Sequence, residues 1–370
     1  MTKQRNYGID LLRIVLMFMI VVGHLFAHTN IRTDAEVYSP KWIYAWIIQT
    51  VVLCAVDCFV IITGYYSNHN DRSIRLKKIV LLSGQVLFYS VSVYAVLLVT
   101  GLIDFSIVDL VKTLLPVMSG QYWFFTSYIL LMLLVPFINL MLNRLNDFAL
   151  KFLTATIIFV FYCMPIFSAV LWQFDGSEGM GIIGFITLYI IGYALKRFDL
   201  KLSKLVCIVG IFISCSIIFA SKLVLTYIVE SFSLDMGTGL FYHYNTLFML
   251  VNAVLIFLLF KQISVGSRTS KLVSFVSVSV FGVYLIHEYP KMWDVFWKSD
   301  IARVLREASF LEFVALSILI PLAIFVVCLI IDKIRRMVAK QLACLGFVQK
   351  LDAKLSSLDN YLLEKFETQG

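Results

Sequence analysis

Three ionisable residues, Asp10, Arg13 and His24, fall inside one apolar run that extends from about Tyr7 to Ala27. An imidazole with an ordinary pKa near ~6.5 accepts a proton at neutral pH, so His24 has the chemistry of a general base. A guanidinium is a permanent planar cation that grips phosphate or carboxylate through paired N–H groups. Asp10 stands three residues before Arg13, close enough on a helix to hold it. Arg13 and His24 are eleven positions apart, which at ~100° and ~1.5 Å per residue sets them ~20° apart around a helix and ~16 Å apart along it. The result is a polar seam with a fixed cation at one end and a titratable ring at the other. Ionisable groups inside a span are costly and point to function. The competing reading has Arg13 snorkelling to the near interface beside Asp10, with His24 a satisfied interfacial histidine.

The element that carries the seam is long enough to cross a bilayer, which takes ~20 apolar residues in a helix. It reads as a span and not as a cleaved leader, because no small-x-small site follows it and it carries the seam. Similar runs recur through the 370 residues, of which 61% are hydrophobic and 15% charged. That composition excludes a soluble domain, and no short alternating strands suggest a transmembrane barrel. The fold expected is all-α, a polytopic bundle of about ten spans. Their positions are Tyr7–Ala27, Trp42–Tyr66, Ile79–Leu102, Tyr122–Leu142, Phe152–Trp172, Ile182–Leu195, Leu205–Val229, a run ending near Phe260, Leu272–His287 and Phe310–Ile331. The stretch from Asp104 to Gly120 is too polar to span and reads as an amphipathic or re-entrant piece. The stretch from Glu288 to Glu307 reads as a short helix lying on the membrane. In the tail, Leu351, Leu355, Leu358 and Leu362 share one face of an amphipathic helix that packs on the bilayer, on the protein or on a second copy.

The net charge of +8 is distributed unevenly. With the N-terminus inside, the inner loops hold nineteen basic residues and the outer loops seven. This bias predicts cytoplasmic N- and C-termini and accounts for the basic charge without nucleic acid. The seven cysteines sit almost entirely in apolar runs without metal-ligand spacing, and they read as reduced and structural. No His-Glu-x-x-His, Gly-rich phosphate loop or nucleophile elbow is present, and no metal is expected. Two further acids, Asp57 and Glu312, occur within spans.

Taken in order, several segments resemble the acyltransferase type 3 family, the integral-membrane O-acyltransferases of bacterial surface polysaccharides. Arg13-x10-His24 looks like the family's first-span signature. Arg72-Ser-Ile-Arg75 resembles its Arg-x-x-Arg in the first cytoplasmic loop. Val56 to Tyr65 resembles its second-span pattern, with Thr63 in place of the usual serine and Cys58 in place of a large apolar residue. Tyr122-Trp123-Phe124 with Pro136 to Asn139, and Phe281 to His287, are similar to later motifs.

The resemblance implies a transmembrane acyltransferase domain over residues 1–340 and a cytoplasmic helical tail over 341–370, in a bacterial plasma membrane. It implies acyl-CoA, with acetyl-CoA the expected form, as cytoplasmic donor substrate, and a hydroxyl of a surface or capsular glycan, or of its lipid-linked precursor, as acceptor. His24 would then be the base, with Arg13 and Asp10 completing the catalytic set. Arg13, Arg72 and Arg75 would bind the donor, although the two loop arginines are also explained by topology alone. Asp57, Tyr122, Trp123 and His287 are the candidate acceptor contacts, His287 being equally readable as a structural interfacial histidine. A glycan or lipid transporter without acyl-transfer chemistry is the reading from another class. The near absence of charge beyond the first two spans favours one localised reaction site.

Overall fold

The computed structural model describes residues 5–67, 75–166 and 178–367. The first span forms as expected. Helix α1 (Tyr7–His28) starts where the Asn6 side chain accepts hydrogen bonds from the backbone N–H groups of Gly8 and Ile9. The same Asn6 donates to the Lys261 carbonyl, 3.2 Å away, which pins the start of α1 to a distant helix end. Gly8 permits this approach, since a Cβ there would run into the carbonyl oxygens of Phe260 and Ile263.

Next come the short α2 (Ile31–Asp34) and the pair α3 (Pro40–Val52) and α4 (Ala55–Tyr66). The single second span expected from hydropathy is thus broken at Leu53 and Cys54. Helix α5 (Leu76–Val99) is followed by the eight-residue amphipathic α6 (Ile107–Leu114), α7 (Trp123–Arg144) and α8 (Asp147–Ile158), which widens into a π-turn at Phe159–Cys163. Then come α9 (Ile182–Arg197), α10 (Lys204–Phe232), α11 (Leu247–Lys261), α12 (Ser267–Ser277) and α13 (Val280–His287). Short helical segments at Pro290–Met292, Trp293–Ile301 and Ala302–Glu307 lead to α16 (Phe310–Leu342) and α17 (Gly346–Glu367), the segments being α14, a π-helix and α15.

Among the described residues eight helical stretches are long and apolar enough to cross a membrane, and the shorter α9 and α11 stand at the expected sixth and eighth spans. Among the described residues there is no strand, so the protein is an all-α, multi-pass bundle. All seven cysteines are free. Residues 167–177, which hold the end of the expected fifth span and the start of the loop after it, lie outside the described residues.

Helix α1 is the hub, touching α3, α4, α11, α12, α13 and α16. Its polar seam is therefore enclosed by protein and not turned to lipid. The closest helix pair is α4 with α9. A Cβ on Gly64 would run into the Tyr189 carbonyl, and one on Gly192 into the Ile61 carbonyl, so two glycines facing each other let the backbones touch. In a bilayer, where lipid is as apolar as leucine, such close packing is what holds helices together. Gly64→Ala is expected to lower stability by ~1–3 kcal/mol or more, because the obstacle is backbone and cannot turn aside. Thermal unfolding of the purified variant in detergent checks this, and an unchanged midpoint would show that the contact relaxes freely.

The stretch after His287 forms short helical segments, as expected. It folds back over the bundle, where Trp297 and Leu305 are fully buried and Lys41 donates to the carbonyls of Leu305 (3.1 Å) and Arg306 (2.8 Å). Its aromatic residues meet the ends of α1 and α13: Trp293 stacks on His28, and Trp297 donates to the His287 carbonyl at 3.4 Å. Glu312 is a helix cap, closing a reciprocal capping box with Ser309 at the start of α16. The tail helix α17 packs on the protein: Lys77 of α5 pairs with Asp352 at 2.8 Å, and its backbone N–H donates to Asp359.

Candidate functional site

Asp10 is buried and clamped by two arginines. Arg13 donates to it from one helical turn on, at 2.9 Å, and Arg5 closes from the other side. Arg5 was not singled out by spacing, because it lies before the apolar run. At the far end of the seam, His24 Nδ1 is 2.8 Å from Glu288 Oε2 and 2.9 Å from His287 Nε2. His28, one turn beyond His24, places Nε2 3.0 Å from the same Glu288 oxygen and stacks on Trp293.

The hydrogen-bond partners assign the tautomers. His287 Nδ1 lies 2.6 Å from the Val283 carbonyl, which only accepts, so this nitrogen carries the proton and Nε2 is bare. His24 Nδ1 then faces two acceptors, a bare ring nitrogen and a carboxylate, and must itself be protonated. That leaves His24 Nε2 with its lone pair free, and among the described residues it has no hydrogen-bond partner. A carboxylate behind Nδ1 also stabilises the imidazolium that forms when Nε2 takes a proton.

His24 lines an internal cavity of about 320 Å³. Such a volume lies within the ~300–1,000 Å³ range of small-molecule sites. Arg13, Lys78 and Leu82 border one part of it, and Ala27, Gln49 and Tyr244 share its wall with His24. Lys78 and Leu82 also border a recess on the surface with Arg75 and Lys77, while Arg13 borders a second recess with Arg5, Asp10 and Lys196. The α1 seam thus connects basic recesses at its Arg13 end with the His24–Glu288 pair.

The remaining predicted residues separate. Trp123 lines the cavity, but Tyr122 does not: it is buried, and its hydroxyl donates to the Leu285 carbonyl at 2.9 Å, tying α7 to α13. Asp57 stands in the first turn of α4 behind the wall formed by Val56 and Phe59, fully buried with neither oxygen hydrogen-bonded. His287 reaches the site by fixing the His24 tautomer. Arg75 sits at the start of α5, and Arg72 lies outside the described residues. Two site residues escaped the sequence reading, His28 and Glu288. The i, i+4 spacing of His24 and His28 was a usable signal, whereas Glu288 looks like any acid just past a span.

The donor atoms of His24, His28 and Glu288 lie within 4.8 Å of one another, so this trio is also where a cation would be held. As it stands, both imidazoles are engaged by the carboxylate.

In this multi-pass helical bundle a histidine paired with a carboxylate lines a half-open cavity that an arginine of the same helix also lines. The comparison with known families agrees in class. A family model described as an acyltransferase domain matches residues 6–332, and the chain belongs to the acyltransferase type 3 family. No curated protein matches it, and no solved structure does.

Proposed function

We propose that this membrane acyltransferase moves an acyl group, in the simplest case acetyl, from acyl-CoA at the Arg13 end of the cavity to a hydroxyl at the His24 end. The acceptor is a surface or capsular glycan or its lipid-linked precursor, and the membrane is the bacterial plasma membrane with the Arg13 end facing the cytoplasm. The observation that carries this reading is His24, paired through Nδ1 with Glu288 and lining a cavity that Arg13 and Lys78 also line.

In this reading Arg75 and Lys78 meet the donor's phosphates, and the cavity takes its pantetheine arm. Arg13, oriented by Asp10, stands ~16 Å from His24 along α1 and so holds the donor at that end by charge-assisted bonds and not at the reacting carbonyl. His24 Nε2 removes the proton of the acceptor hydroxyl as its oxygen attacks the carbonyl carbon. The tetrahedral intermediate collapses with cleavage of the C–S bond, and the imidazolium returns its proton to the CoA thiolate. The ester and free CoA leave at opposite ends. The tail's Asp352 and Asp359 already engage Lys77, so that lysine is not freely offered to the donor.

The test is release of CoA thiol by the purified protein in vesicles supplied with acetyl-CoA, paired with mass spectrometry of surface glycan from cells with and without the gene. Acceptor-dependent thiol release and an acyl mass on the glycan are expected. Movement of glycan across the vesicle membrane with no acetyl-CoA consumed would return the chain to the transporter reading.

A further inference from the structure

Near the His24 end of the cavity, two basic side chains are drawn into the protein without an anion. Lys222 of α10 is only 6% exposed, and its ammonium lies 4.0 Å from the centre of the Trp46 ring. It donates to the Thr238 hydroxyl and approaches the Trp42 ring at 5.7 Å. Arg32 of α2 lies over the same Trp46 ring at 4.9 Å, and its Nε–H is buried with no acceptor. Burial holds the Arg32 pKa below the ordinary arginine value. Two cations therefore share one indole, and among the described residues neither has a carboxylate partner. The nearby acids are used elsewhere: Asp34 pairs with Arg306 at 2.7 Å, and Glu178 with His243 at 3.0 Å.

Like charges drawn together out of water are unfavourable unless an opposite charge joins them. Cation–π contacts of the kind seen at Trp46 offset only part of that cost. Polar atoms around the cluster are left unsatisfied. Arg32 Nε and Trp46 Nε1 are both buried donors without acceptors. The cluster adjoins the cavity. Gln49, one helical turn from Trp46, lines it with a buried amide oxygen that accepts from nothing, and Tyr244 lines it beside Trp123 at 5.7 Å between ring centroids. Tyr242 closes the far side of Trp46, ring to ring at 4.8 Å.

From this arrangement we infer that Arg32, Lys222 and Trp46 bind an anionic group, carboxylate or phosphate, carried by the sugar that accepts the acyl group. The inference rests on the proposed transfer to a glycan and names the class of that glycan: an acidic one, either uronate-like or phosphate-linked. The Gln49 oxygen accepts from a sugar hydroxyl on the way to His24. The donors of the cluster supply the charge-assisted bonds to the acidic group.

The test is equilibrium binding to the full-length protein in phosphatidylcholine nanodiscs, followed by tryptophan fluorescence, with glucuronate, glucose 6-phosphate and glucose as probes. At least one acidic sugar is expected to bind tenfold or more tightly than glucose. Arg32→Met and Lys222→Met should each weaken that binding by about tenfold, the loss of one charge-assisted contact. Lys222→Arg should keep it and thereby show that the methionine variant has not merely unfolded. Equal binding of all three sugars, or methionine variants that bind the acidic sugar as tightly as the parent, would overturn the assignment. So would loss of the acidic preference in nanodiscs containing phosphatidylglycerol, since a lipid headgroup would then be the occupant. No acyl donor is present in this titration. A protein that binds acidic sugars but releases no CoA thiol would therefore sink the transfer reading and leave the subsite standing.

Discussion

Replacing His24 with alanine is expected to lower acyl transfer by ~10²–10⁴-fold, the usual loss when a general base is removed. The expectation follows from the tautomer. Nδ1 carries its proton toward Glu288 and His287, so Nε2 is the bare nitrogen, and it belongs to a residue that lines the cavity. The alanine variant keeps Asp10, Arg13 and the basic recesses near Lys78, so donor affinity should change little. Transfer must be normalised to membrane abundance, because Glu288 would keep only His28 as a partner in a buried setting. Near-normal acylation by His24→Ala, measured on cell-surface glycan, would make the seam structural and remove the base from the proposal.

A comparable loss is expected for Glu288→Gln, on the order of 10²–10⁴-fold in transfer rate with donor affinity preserved. Glutamine keeps the size of the side chain but removes its charge. Its amide can also turn an N–H toward His24 Nδ1, which would favour the tautomer with Nε2 protonated and unable to act as a base. His287 Nε2, at 2.9 Å, still offers an acceptor to Nδ1, so the loss should come mainly from the missing charge beside the imidazolium. His287→Ala in the Glu288→Gln background should then deepen the defect, since nothing would hold the ring. The measurement is single-turnover transfer by each purified variant with saturating donor. If Glu288→Gln transfers at the parent rate, the carboxylate does not support the histidine, and the buried Glu288–His28 contact is only packing.

Much of the architecture was legible before any coordinates, for local reasons. Span positions follow from runs of apolar residues, and a run is a property of neighbours in sequence. The pairing of Asp10 with Arg13 follows from i, i+3 spacing on one helix. The tail was legible as an amphipathic helix, but the choice among its three docking partners was not. Asp352 and Asp359 meet Lys77 across more than 270 positions of chain, and no periodicity encodes that meeting. The break at Leu53 and Cys54 was hidden too, because hydropathy runs through it without a change.

The site divides along the same line. The sequence by itself determined that a histidine and an arginine share one face of the first span, since the 3.6-residue period fixes their relative direction. Only the tertiary structure decided which groups stand behind the base. Glu288 is 264 positions from His24, and it reaches His24 because α13 packs on α1 and ends level with the imidazole. It also decided that Tyr122 serves α7–α13 packing and that Asp57 lies behind the cavity wall. Helical period shows which residues of one element look the same way. What each of them meets depends on how neighbouring helices cross, and that is set by side-chain volume and by the few places, such as Gly64 and Gly192, where backbones can touch.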